Sequence, residues 1–168
     1  VALASSTAAV GSPRDDETDT DTGSVYVYAL NGTTWTLEDK LTAPDPHEFK
    51  QFGFALDLVD EGLVAGAPFD RELGWDAGAA YVYQKPAGGW ASATESLRLV
   101  ASDSVFSDSF AESLALGDTL YVFGGMTVRK DHLEHTRIDY SADTYALAPA
   151  GATAGEWHRL RRRGELPA

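Results

Sequence analysis

The chain contains no cysteine. Disulfides, thiolate metal sites and a cysteine nucleophile are therefore excluded, and the compartment stays open. No apolar stretch approaches the roughly 20 residues that a membrane-spanning helix needs. No basic and apolar leader is visible at the N-terminus, and the abrupt start at Val1 in a strand-like run leaves room for a leader lost with an upstream part. Positive charge is scarce: residues 1–126 hold 6 Lys/Arg against 20 Asp/Glu, whereas residues 127–168 hold 7 against 6. A net charge of −13 repels phosphate backbones, which argues against nucleic acid and anionic membranes as partners. It suits cations, basic partners or plain solubility. Catalytic signatures are missing too: no His-Glu-x-x-His, phosphate loop, dinucleotide fingerprint or Gly-x-Ser-x-Gly elbow occurs.

What is present is enough for a sizeable core. Of 168 residues, 43% are hydrophobic and 11% aromatic, so the chain is not a disordered tail. Sixteen glycines and seven prolines give a turn-rich balance that suits an all-β fold.

The chain also repeats itself. Ala9-Val10-Gly11-Ser12-Pro13 recurs as Ala65-Gly66-Ala67-Pro68, with the prolines 55 residues apart. Gly23-Ser24-Val25-Tyr26-Val27-Tyr28 recurs at the same interval as Gly78-Ala79-Ala80-Tyr81-Val82-Tyr83, and Trp35 as Trp90. A second series carries the pattern on: residues 51–58 are echoed by 109–116, 58 positions later, and Leu63-Val64-Ala65-Gly66 by Leu120–Gly124. Three units follow, 1–50, 51–108 and 109–168.

Each unit reads as four short strands. The first strands are Val1–Ala4, Phe52–Leu58 and Phe110–Leu116; the second are Thr7–Gly11, Leu63–Gly66 and Thr119–Gly124. The third are Ser24–Leu30, Ala79–Gln84 and Ile138–Leu147; the fourth are Trp35–Leu41, Trp90–Leu99 and Trp157–Leu160. Asn31-Gly32 suits a type I′ hairpin, and Pro86-Ala87-Gly88-Gly89 serves as the corresponding turn of the second unit. The inner strands are apolar or aromatic on both faces, as in Val25-Tyr26-Val27-Tyr28 and Tyr81-Val82-Tyr83. A sheet with one wet face would alternate. Sheets stacked radially have this pattern, so the expected fold is all-β: three four-stranded antiparallel β-propeller blades, an incomplete and open segment.

At these residues a resemblance emerges. Phe52-Gly53, Gly66-Ala67-Pro68 and Gly78-Ala79-Ala80-Tyr81-Val82-Tyr83 resemble the FG-GAP repeat, the blade unit of integrin-α propellers and of microbial surface proteins. The third unit is similar to a kelch repeat, with Gly124-Gly125, Tyr145, Trp157 and the trailing Gly164-Glu165-Leu166-Pro167. Both families imply a propeller scaffold in which Phe52, the tyrosine pairs and the tryptophans are core. Integrin blades place calcium loops between strands one and two. Here those connections are only Ser5-Ser6, Asp60-Glu61-Gly62 and Gly117-Asp118, so the family's metal residues do not carry over.

Function in such a stack lives in loops. The connections from strand two to three and from four to the next unit emerge on one face. That face carries Phe49, Trp75, Asp76 and Phe106 as candidate ligand-binding residues, with Trp75 a candidate anchor or, on the plainer reading, a ring folded back over the blade edge. The acidic loop puts five carboxylates between Asp15 and Asp21, and Asp15, Asp16, Asp19 and Asp21 are the candidate ligands of a calcium site. A solvated acidic loop is the plainer reading. His132 and His135 are spaced too closely for a zinc pair without further ligands and read as an exposed loop. Arg159, Arg161, Arg162 and Arg163 form a basic strand end, and Asn31-Gly32-Thr33 doubles as a glycosylation acceptor.

The expected function is a non-catalytic binding scaffold for a protein or a glycan, at the cell surface or outside the cell, without a cofactor. A calcium-binding adhesion module and a fragment of a propeller enzyme are the alternatives. Expected partners also include the remaining blades of a longer chain, or a second copy of this one.

Overall fold

The computed structural model describes residues 1–91, 93–101, 106–116, 120–123, 126–130, 136–140, 144–147 and 157–160. The described residues form strands and turns, and no helix occurs among them. The first sheet comprises β1 (Ala2–Ala4), β2 (Thr7–Ser12), β3 (Ser24–Asn31) and β4 (Thr34–Leu41), paired antiparallel in chain order. The second repeats it with β5 (Leu56–Val59), β6 (Gly62–Ala67), β7 (Ala79–Gln84) and β8 (Glu95–Leu99). The likeness extends to irregularities: the β3–β4 ladder slips between Val27 and Tyr28, and β7–β8 slips between Val82 and Tyr83. A third four-stranded set pairs β9 (Ser113–Leu116) and β10 (Leu120–Phe123) with two later strands. Before those comes a separate hairpin of β11 (Met126–Lys130) and β12 (Thr136–Tyr140); β13 (Thr144–Leu147) and β14 (Trp157–Leu160) then complete the set.

The sheets stack face to face. Ala9, Val25, Val27 and Leu41 of the first sheet meet Leu63, Ala65, Tyr81, Tyr83 and Trp90 of the second in one buried cluster. On the other face of the second sheet, Val64, Ala80 and Leu99 join Phe110 and Val122 in another. Successive residues of β7 thus point to opposite neighbours, which is why neither side of that strand is polar. Phe52 is fully buried and meets Tyr81 and Tyr83 edge-on, with centroids 5.5 and 6.1 Å away. Burying one such ring contributes about 1.5–3 kcal/mol.

Several sequence expectations need correction. Phe52 and Phe110 do not start strands; each bridges in parallel to the preceding loop, at Gly23 and Gly78, and β5 and β9 begin later. Gly53 is required twice over: its φ is +83°, and a Cβ there would press on the Ser24 carbonyl at 2.7 Å. Trp35 and Trp90 are not equivalent. By ladder register Tyr28 faces Leu37 and Tyr83 faces Glu95, so the fourth strands are offset by 58, not 55. Trp35 lies in β4 and is 43% exposed, against its expected place in the core, while Trp90 lies before β8 and is fully buried. The first hairpin turns at Gly32-Thr33 rather than Asn31-Gly32, and only Gly32 has positive φ, the pattern of a type II′ turn. The strand expected over Ile138–Leu147 is broken: Ile138 pairs with Val128 inside the β11–β12 hairpin, and only β13 joins the sheet. β12 alternates the β-formers Thr136, Ile138 and Tyr140, β11 carries Thr127 and Val128, and the two arms satisfy each other's ladder locally. His132, His135, Gly117-Asp118, Gly124-Gly125, Arg161–Arg163 and the terminal Gly-x-x-Pro lie outside the described residues.

Candidate functional site: the loop face and the ionic joint beneath it

Backbone bonds tie the loops into pairs at one end of the stack. Phe49, Gln51 and Phe52 donate their N–H groups to the carbonyls of Thr20, Asp21 and Thr22 at 2.8–3.0 Å. Ser107, Ser109 and Phe110 do the same to Trp75, Asp76 and Ala77 at 2.9–3.0 Å. Each pair is held by left-handed residues: Asp21, Phe49 and Gln51 in one, Asp76, Ser107 and Ser109 in the other. The pairing places the candidates. Trp75, Asp76 and Phe106 belong to the second loop pair, and Phe49 belongs to the first.

Trp75 is 60% exposed and Phe106 64%, so neither folds back into the core. The Arg71 guanidinium sits 4.2 Å from the Trp75 ring centroid and fixes one of its faces. Asp76 Oδ1 stands 3.6 Å from Arg71 Nε, too long for a hydrogen bond. Leu73 is also half exposed on this loop. The result is a braced aromatic residue at a loop tip, a geometry suited to stacking or to filling a partner's pocket.

The acidic loop is arranged differently from a metal cradle. Asp15 accepts from Glu17 N–H and Lys40 Nζ at Oδ1 (3.2 and 3.3 Å). At Oδ2 it accepts from Tyr26 Oη and Ser24 Oγ (2.7 and 3.0 Å). Asp16 accepts the Asp21 N–H, and Asp19 the N–H of Thr20. Among the described residues no three His, Asp or Glu side chains converge as metal ligands, so the four aspartates are not gathered into the calcium site considered above. The Tyr26 hydroxyl, more than the opposing effect of burial, holds Asp15 below the usual carboxylate range, aided by Ser24 and Lys40.

The same scheme recurs at Asp70, now buried. Glu72 N–H and Arg98 Nη2 donate to Oδ1 (3.1 and 2.5 Å). Tyr81 Oη and Lys50 Nζ approach Oδ2 (3.0 and 2.7 Å). Lys50 is fully buried, comes from the loop after the first sheet, and also binds Asp45 Oδ1 at 2.7 Å. The ammonium thus bolts one sheet to the next. Burial pushes Asp70 up, but Lys50, Arg98 and Tyr81 together outweigh it, and its carboxyl lies below the ordinary range. Burial and then the charges of Asp70 and Asp45 push the Tyr81 phenol far above its ordinary value. This joint had no sequence signal, because its members come from two units and Lys50 stands among ordinary loop residues.

These features bear on family. Residues 1–28 and 35–83 match the FG-GAP repeat. The matched residues include Phe52-Gly53, both glycine-led tyrosine strands and Lys50. No curated protein matches the chain. FG-GAP repeats suggest a β-propeller-type binding module.

Proposed function

We propose that the chain is a segment of a β-propeller with three blades, the third kelch-like, that binds a protein or a glycan through its loop face. Trp75 carries the reading: a large aromatic side chain left in solvent yet held in place by Arg71 is poorly accounted for by stability and well suited to recognition. Phe106 and Asp76 belong to the same loop pair, and the reading adds Phe49, 43% exposed on the first loop pair. FG-GAP repeats are in general non-catalytic, and the ionised side chains beneath the face are already paired with one another, which supports binding over turnover. A place at the cell surface or outside the cell belongs to this reading, as do further blades from a longer chain or a second copy.

The test is binding of the full chain to an immobilised panel of glycans and proteins, compared with the double variant Trp75→Ala, Phe106→Ala. The variant should melt within a few degrees of the parent, since both residues are exposed, and lose at least tenfold in affinity for whatever the parent binds. Equal binding by the two proteins would remove the loop face from consideration.

A further inference from the structure

The first and second sheets differ in one systematic way. Tyr81 and Tyr83 of the second sheet and Trp90 in its β7–β8 connection are 0%, 2% and 0% exposed, because the first sheet covers them. Tyr26 and Tyr28 occupy the equivalent positions of the first sheet and point away from the second, since Val25 and Val27 between them line the shared core. On that outer face Leu3, Trp35 and Leu37 are 68%, 43% and 55% exposed. Register puts Leu3 opposite Ala8, Ala8 opposite Tyr28, and Tyr28 opposite Leu37, so these side chains form one apolar strip across four strands.

We infer that this strip is the seat of a further four-stranded repeat sheet, presenting small and β-branched side chains as Ala9, Val25 and Val27 do, and bringing no lysine to Asp15. The occupant follows from continuity with the joint already present: the same repeat surface, one unit on, is covered by a sheet of that composition. The missing lysine follows from donor counting. Asp15 and Asp70 each accept four donors, two per oxygen. Three are equivalent: a backbone N–H two residues on, a tyrosine hydroxyl eleven residues on, and a cation from the fourth strand. The remaining donor to Oδ2 is Lys50 at Asp70 and Ser24 at Asp15; the second sheet has Ala79 at the serine's position. Ser24 therefore takes the ammonium's role from within the sheet. An incoming lysine would find no free lone pair and would be buried without its full set of acceptors, which is costly. The inference uses only the stacking part of the proposed function and is independent of loop-face binding.

The experiment exploits the absence of cysteine. Leu37→Cys places a single thiol on the strip, and maleimide labelling reads its accessibility. The comparison is the same chain carrying an extra copy of residues 1–55 ahead of Val1, which preserves the spacing of the natural joint. Labelling should slow at least tenfold in the extended protein, and more when the lysine of the added copy is replaced (Lys50→Met) than when it is kept. Adding Ser24→Ala to the original unit should reverse that order, because Asp15 then needs the ammonium. Should Leu37→Cys fail to fold, Trp35→Cys reads the same face. Unchanged labelling in the extended protein overturns the inference. So does protection that rises with concentration in the unextended chain, which would make the occupant a second copy. A lysine-bearing copy that protects better with Ser24 intact overturns the lysine-free part.

Discussion

Asp70 is a carboxylate almost out of water, with side-chain exposure of 2%, and it is tolerated because Lys50 and Arg98 face it. Removing its charge leaves the fully buried Lys50 ammonium with Asp45 alone, a carboxylate that is itself 42% exposed. Asp70→Asn should cost about 3–5 kcal/mol by urea unfolding, the usual penalty for breaking a buried pair from one side. The pH dependence follows from the direction of the shift. A folded pKa below the unfolded value of about 3.9 means that the stabilisation is complete above that pH and is lost as pH falls through the folded value. Unfolding free energy measured from pH 6 down to pH 3 should therefore drop for the parent and drop less for Asp70→Asn; identical slopes would show that Asp70 is not the titrating group. The acids of these loops were visible in the sequence, but their role was not. Nothing in linear order ties Lys50 to Asp70, because the contact exists only once one sheet lies on the next.

At the scale of the element, the repeat preserves backbone geometry more faithfully than residue identity. Gly53 follows Phe52 in a left-handed conformation, and Ala111 holds the same place after Phe110 with φ 68°. A Cβ on Gly66 would collide with the Ala111 carbonyl, so this close approach belongs to the joint itself. An alanine in the left-handed region costs about 1–2 kcal/mol, partly offset by the greater unfolded-state freedom of glycine. Ala111→Gly should therefore stabilise the chain by about 0.5–1 kcal/mol in thermal or urea unfolding, and destabilisation would mean that the methyl group is needed in the core. The strands of the first two units were readable because glycine-led Tyr-Val-Tyr runs bounded by turns have few alternatives. The Trp35–Trp90 correspondence misled, because an equal interval in sequence does not survive a β7–β8 connection three residues longer than its counterpart.

At the scale of the molecule, stability should be graded along the stack. The second sheet is packed on both faces, whereas the first has one face in solvent. In stacked repeats each unit draws its stability from its neighbours. Hydrogen exchange should accordingly be slowest in Leu63–Ala67 and Ala79–Tyr83, faster in Val25–Tyr28, and slower there once a further repeat is added. Greater protection in the first sheet than in the second would contradict this order.

Composition and pattern alone determined that the described part of the chain is all-β and that it repeats; they also led to inner strands covered on both sides, which holds for β7 and not for β3, whose Tyr26 and Tyr28 face outward. Those properties follow from local turn chemistry and from the two-residue period of a strand, which neighbouring residues specify. Tertiary structure decided which tryptophan is buried, that Phe52 and Phe110 close parallel bridges, that the acidic loop feeds a tyrosine and a lysine, and that Lys50 bolts two sheets together. Each of these depends on which residues of separate units come within a few ångströms, and that distance is set by stacking, not by position along the chain.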